Sequence, residues 1–269
     1  MPTTRDTVRQ ITVLLSAILA IIGSFIGSGA GGGTPVQMAS GGALSADATP
    51  IAPAGPAFSI WSVIYAGLIA YAIWQLLPKQ KADPRQRRLG YPIAASLLLN
   101  AAWILSVQFD LLVLSVPIIA LLLAVLVWVF RILLHTRPST VIEAIVADGT
   151  MGLYLGWVSI ATAANVAAVL TDAGFTGFGL SSDLWAVLVI SVAGAVGVLI
   201  AVYGKGRFAP TLSLCWGLGW LAYGRLTGDL ISVPAAITAI IAALVVIAAT
   251  LLLRLTQGRS EGVNQPVRA

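Results

Sequence analysis

The chain has 269 residues, is 58% hydrophobic and only 9% charged, carries a formal net charge of +5 and has a mean hydropathy of +0.96. These values exclude a water-soluble globular domain of ordinary composition and define an integral membrane protein. Irregular backbone and open sheet edges cannot face hydrocarbon, and the uncharged apolar runs suit helices crossing about 30 Å of lipid, so the expected fold class is all-α.

Eight transmembrane helices are expected, over residues 10–29, 57–77, 89–109, 111–134, 146–170, 184–203, 208–224 and 231–254. Arg5 and Arg9 lead into the first, which ends in the small residues GSGAGGG. A cleaved signal peptide shares this pattern, but the apolar core is long for one, and a retained helix is the preferred reading. Residues 30–56, AGGGTPVQMASGGALSADATPIAPAGP, show no apolar period and read as a long outer loop, a linker or a lid. The second span, PAFSIWSVIYAGLIAYAIWQ, places Trp61 and Tyr65 one turn apart on one face. The polybasic turn PKQKADPRQRR that follows fixes topology and attracts anionic lipid.

In the third span Asn100 and Trp103 share a face, and Gln108, Phe109 and Asp110 leave room only for a tight hairpin into the fourth. His135 closes span four between Arg131 and Arg137; a haem-ligand reading is weighed there against a solvated helix end, and the latter is favoured. Thr140 and Glu143 have the spacing of a capping box that starts the fifth helix. Within that helix Trp157, Ala161 and Asn165 follow at four-residue steps, with Tyr154 on the same side. After the outer loop TDAGFTGFGLSSD, at 171–183, come three further spans poor in polar groups. The seventh, SLCWGLGWLAYG, is short and Gly-rich and holds the sole cysteine, Cys215, so no intrachain disulfide can form.

Of the 15 Lys and Arg residues, all but Arg225 fall on one side of this arrangement, which predicts a multi-pass protein of the bacterial inner (plasma) membrane with both termini and the 257–269 tail in the cytoplasm. The isoelectric point near 9.7 then follows from topology and calls for no nucleic acid. Asp110 and Asp148 lie at or near helix ends and the spans are otherwise read as free of ionisable groups, which disfavours ion-coupled transport. Lys79, Lys81 and Lys205 are all in loops, so no helix offers a Schiff-base lysine for retinal. There is no P-loop, HExxH, GxSxG or cysteine pair, and neither a metal site nor familiar soluble-enzyme chemistry is expected.

Amides and aromatics remain. With 1.5 Å of rise per residue, Trp61, Trp103 and Asn165 lie about 6, about 9 and about 8 Å below the outer ends of their helices, at one level under the long loop. Trp74, Trp128 and Trp185 are read as interfacial belt residues. The bland reading of the two asparagines is interhelical bonding. GxxxG spacings at Gly23 and Gly27 and at Gly152 and Gly156 allow close helix contact, but so Gly-rich a chain also produces them by chance.

LLLNAAW at 97–103 and LGWVSIATAAN at 155–165, with a Pro-rich outer loop running into FSIWSVIY at 58–65, resemble the TspO/MBR family of tryptophan-rich sensory proteins, relatives of the mitochondrial translocator protein. The resemblance covers about residues 8–170. It implies a five-helix bundle over 1–170 with a hydrophobic pocket beneath the first outer loop, to which three further helices over 171–256 are added as an extension, a dimer surface or a second module. It also implies porphyrin, haem-like, sterol-like or other aromatic ligands, none covalently held. By motif position Trp61 and Trp157 match the family's tryptophans implicated in light-dependent porphyrin breakdown, and Asn100 and Asn165 its pocket amides, with Trp103 beside them. The chain departs from the pattern at PIAPAGP, which lacks tryptophan, at Ile104, where proline is common, and near Leu153.

The expected function is a membrane sensor or carrier for tetrapyrrole-like ligands, with Trp61, Tyr65, Asn100, Trp103, Tyr154, Trp157 and Asn165 forming the site. A permease for a small neutral solute and a light-dependent porphyrin-degrading protein are the alternatives. The expected partners are a hydrophobic small molecule, the bilayer and a second copy of the chain.

Overall fold

The computed structural model describes residues 2–263, and the chain is all-α, with no strand among these residues. The long helices are α1 (Thr4–Gly27), α2 (Ile60–Trp74), α3 (Pro84–Gln108), α4 (Leu112–His135), α5 (Thr150–Asp172), α6 (Ser182–Tyr203), α7 (Phe208–Thr227) and α8 (Val233–Val263). The expected tail thus continues α8 as far as Val263, and the rest of it lies outside the described residues.

Local chemistry explains where the helices begin. Asp6 accepts from the Thr3 amide and hydroxyl at 2.8 and 2.9 Å, so α1 starts well before its apolar core. The Asp83 carboxylate accepts from the amides of Arg85 and Gln86 and Pro84 occupies the first turn, which starts α3 inside the polybasic segment. Thr140 accepts from the Glu143 amide at 3.1 Å, as a cap should, but the Glu143 carboxylate is drawn instead to Ser139, Arg85 and Gln86. One helical turn, Val141–Glu143, and a π-turn, Ala144–Gly149, then lead into α5.

Among the described residues, seven helices are long and apolar enough to cross a membrane on composition alone; α7 is the exception to the expected eight. Its 20 residues still reach from Arg207 at one end of the bundle to Arg225 at the other, about 30 Å at helical rise. Its Gly, Ser and Thr residues are shielded by protein, since α7 packs between α5 and α8 with Thr211, Ser213 and Gly217 buried. α8 packs in turn on α6, and on the far side α1 packs on α3, α3 on α4 and α4 on α5.

Both GxxxG pairs serve this packing. Gly23 and Gly27 lie against Ala101 and Ile104 of α3, and Gly152 and Gly156 against Ala209, Pro210 and Ser213 of α7. The second pair seats the last three helices on α5.

The ionisable groups gather at helix ends, outside or at the margin of the expected spans. At the end where the α2–α3, α4–α5 and α6–α7 connections meet, Arg85 pairs with Glu143 at 2.8 Å and with Asp148 at 2.7 Å, and Arg207 pairs with Asp148 at 2.6 Å. Gln86 donates to Glu143 and accepts from Tyr71, while Arg207 also donates to the Leu133 carbonyl. Asp6 binds Arg87, and Arg9 is buried with its guanidinium on the carbonyls of Gln80 and Lys81. Asp6, Glu143 and Asp148 each face a guanidinium and tie the connections together, whereas the Arg9 charge is met by backbone carbonyls alone.

Candidate functional site

At the opposite end, residues 28–59 fold over the bundle as short turns. Ser40 donates to the Val107 carbonyl, and the Gln108 amide exchanges hydrogen bonds with the backbone of Thr34, fastening the loop to α3. A 3₁₀ turn, Gly55–Ser59, with Pro56 at its start, feeds the chain into α2 and sets Phe58 and Trp61 facing inward.

Beneath this loop is an enclosed cavity of about 50 Å³. Leu44, Thr49, Ala52 and Pro53 form its roof; Phe58, Trp61, Asn100, Trp103, Trp157, Ala161 and Asn165 line its walls, with Ile119 and Leu122 from α4. Five of the seven residues expected from sequence therefore meet at one level. The other two stand behind them: Tyr65 stacks on Trp61 at 5.3 Å, and Tyr154 meets the Trp61 ring edge-on at 5.7 Å. Trp61 also meets Trp157 at 6.3 Å with rings at 83°, and Phe58 meets Trp157 at 5.8 Å. Such edge-to-face pairs fix the rings beyond what their buried area alone achieves.

The polar groups divide into two kinds. Trp103 Nε1 donates to Asn165 Oδ1 at 2.8 Å, Asn165 Nδ2 donates to Ser115 Oγ at 2.8 Å, and Ser115 donates to the Leu112 carbonyl. This chain is satisfied and locks α3, α4 and α5 together. Asn100 Nδ2 donates to the Tyr65 hydroxyl, but Asn100 Oδ1 and Trp157 Nε1 are buried without partners. One bare acceptor and one bare donor in a low-dielectric wall cost about 1–3 kcal/mol each until something pairs with them.

The helices beyond α5 take part in the roof, which the sequence reading missed. Trp216 of α7 donates to the Ala57 carbonyl at 2.9 Å, and the Ala54 amide donates to the Trp220 carbonyl at 3.2 Å. Arg225, with no exposed surface, donates to the carbonyls of Thr49 and Ala46 and lies 3.6 Å from Asp47. The one basic residue at this end was visible as an exception in the charge pattern, and that exception was the available signal.

Other sequence expectations resolve simply. Trp128 is exposed as a belt residue should be, but Trp74 is buried and packs by Tyr71, and Trp185 is tied to the Gly177 carbonyl. His135 is exposed and its Nδ1 contacts the Arg131 carbonyl of its own helix. Cys215 is half-buried against α8, near the Ala243 carbonyl.

An aromatic pocket roofed by a loop, within an all-α membrane bundle, defines the class as a membrane ligand-binding or transport protein. The chain belongs to the TSPO-like protein family, whose model matches residues 10–252. The match runs through α6, α7 and most of α8, well beyond the segment in which the sequence motifs are found. No curated protein and no solved structure matches the chain.

Proposed function

We propose that the protein is a membrane receptor or carrier for flat, hydrophobic ligands of the tetrapyrrole type, held between Trp61, Trp103 and Trp157 under the 28–59 loop. The observation that carries this reading is the pair of unpartnered polar atoms in the cage wall, Asn100 Oδ1 and Trp157 Nε1. A ligand with an apolar body, one hydrogen-bond donor and one acceptor would satisfy both, and pockets for small molecules have this mix of apolar wall and few polar groups.

The cavity of about 50 Å³ is far below the ~300 Å³ minimum typical of occupied small-molecule sites, so the conformation described is closed and the walls must part for a tetrapyrrole. At this size it suits a water molecule, which can bridge a donor and an acceptor. The protein binds and releases its ligand in this account, and no bond is made or broken.

Tryptophan fluorescence of the purified protein, titrated with protoporphyrin IX, tests the reading. Saturable quenching at micromolar ligand that weakens in the Trp61→Phe, Trp157→Phe double variant is expected. Absent quenching, or identical quenching in both proteins, would remove the tetrapyrrole site and advance the permease alternative.

A further inference from the structure

A second cavity, of about 530 Å³, lies between α1 and α2 below the loop, lined by Ser24, Phe25, Val36, Gln37, Ser62 and Ile69. Phe25 and Ile69 are exposed there, on the outer faces of two helices apolar enough to span lipid, so the cavity opens sideways into the bilayer. Its inner wall is made by Phe58, Trp61 and Trp103, and these same three side chains wall the enclosed cavity. The two spaces are therefore separated by one layer of rings.

The partition is unequal in strength. Trp103 is held by its hydrogen bond to Asn165. Trp61 has only ring contacts, to Tyr65, Tyr154 and Trp157, and no hydrogen bond. An exposed-to-buried swing of Trp61 thus costs no hydrogen bond and joins 50 Å³ to 530 Å³.

The aqueous side is closed differently. A third cavity, of about 370 Å³, lies above the roof and shares only Ala43 and Ala168 with the enclosed one. The barrier there is backbone pinned by Arg225, Trp216 and Trp220, and the carboxylates of Asp47 and Asp172 line the mouth. Asp47 is offset there by Arg225, but the Asp172 carboxylate repels the propionates of an anionic tetrapyrrole, whereas the α1–α2 crevice is apolar with neutral polar groups.

We propose that the crevice between α1 and α2 is a lateral portal, through which a lipid-dissolved apolar ligand reaches the enclosed pocket from the bilayer, with Trp61 as its gate. This rests on the ligand reading above for the identity of the cargo, but not for the existence of the path.

The test uses a probe independent of porphyrin. In a Cys215→Ser background, Ala164→Cys puts a thiol in the wall of the enclosed cavity alone. Pyrene maleimide dissolved in the lipid of proteoliposomes and a charged, water-soluble methanethiosulfonate are compared as labels. The portal predicts faster labelling from the lipid phase. Filling the crevice with Ser24→Phe and Ser62→Phe slows it at least tenfold, and Trp61→Ala speeds it several-fold. Ser62 is exposed, so Ser62→Phe alone serves as the variant least disturbing to the fold and must also slow labelling. Equal rates in parent and crevice-filled proteins, faster labelling from water, or no labelling from either phase would overturn the portal. If lateral labelling holds while protoporphyrin IX fails to bind, the path stands and the cargo assignment falls.

Discussion

Replacing Arg225 by Gln isolates what α7 contributes to the roof of the pocket. Arg225 is fully buried, donates to the carbonyls of Ala46 and Thr49, and faces Asp47 at 3.6 Å. A glutamine amide can keep one of those hydrogen bonds. Asp47 is 43% exposed and regains water when its partner is lost, so the ion pair contributes little to the difference. The net loss is then one charge-assisted hydrogen bond, about 2 kcal/mol. That shifts the opening equilibrium of the roof by about 30-fold. Hydrogen exchange reads it at the Ala52 and Ala54 amides, which are bonded to the Thr49 and Trp220 carbonyls. Both should exchange about 30-fold faster in the variant, while amides of α3 near Ala101 keep their protection. Unchanged exchange at Ala52 and Ala54 in a folded variant would refute the claim that α7 holds the roof.

Substitutions at two further places probe the scaffold. A methyl group at Gly156 would overlap the Pro210 carbonyl and Ser213 of α7, so Gly156→Ala should destabilise by about 1–3 kcal/mol or more and lower Tm, whereas Gly219→Ala, with nothing within 4 Å, should be nearly neutral. Arg85→Met strands Glu143 without its charge partner and should cost about 3–5 kcal/mol, read as a drop in Tm. Adding Glu143→Gln should recover much of that loss, and no recovery would mean that the Arg85 side chain acts through packing.

Much of the fold was legible because lipid permits so few backbone solutions. Apolar run length marked the spans, and basic residues marked the loops that gather at one end. Starts were misplaced where polar side chains extend helices past the apolar run, with Asp6 on α1 and Asp83 on α3, whereas the Thr140 cap was legible from its spacing to Glu143. Arg85, Glu143 and Asp148 look like loop charges in a hydropathy profile, yet the early helix starts bring them into buried contact.

The site divides along similar lines. Helical periodicity and depth were sufficient to bring Trp61, Asn100, Trp103, Trp157 and Asn165 to one cavity, since straight helices preserve both. Which amide oxygen is left bare depends on Trp103, whose indole N–H goes to Asn165 and not to Asn100, and the remaining partner of Asn165, Ser115, comes from a helix without a recognisable motif. The grip of Trp216, Trp220 and Arg225 on the roof was equally hidden, because it joins positions more than 150 residues apart in sequence.

The central claim is that the ligand sits in the enclosed cavity under the roof. Ala161 lines that cavity and not the crevice, so Ala161→Phe fills the former and spares the latter. Equilibrium titration of this variant with protoporphyrin IX is the most direct test. The account predicts affinity reduced by at least about tenfold with helix content intact. Wild-type affinity in a folded Ala161→Phe protein would place the ligand elsewhere and contradict the assignment.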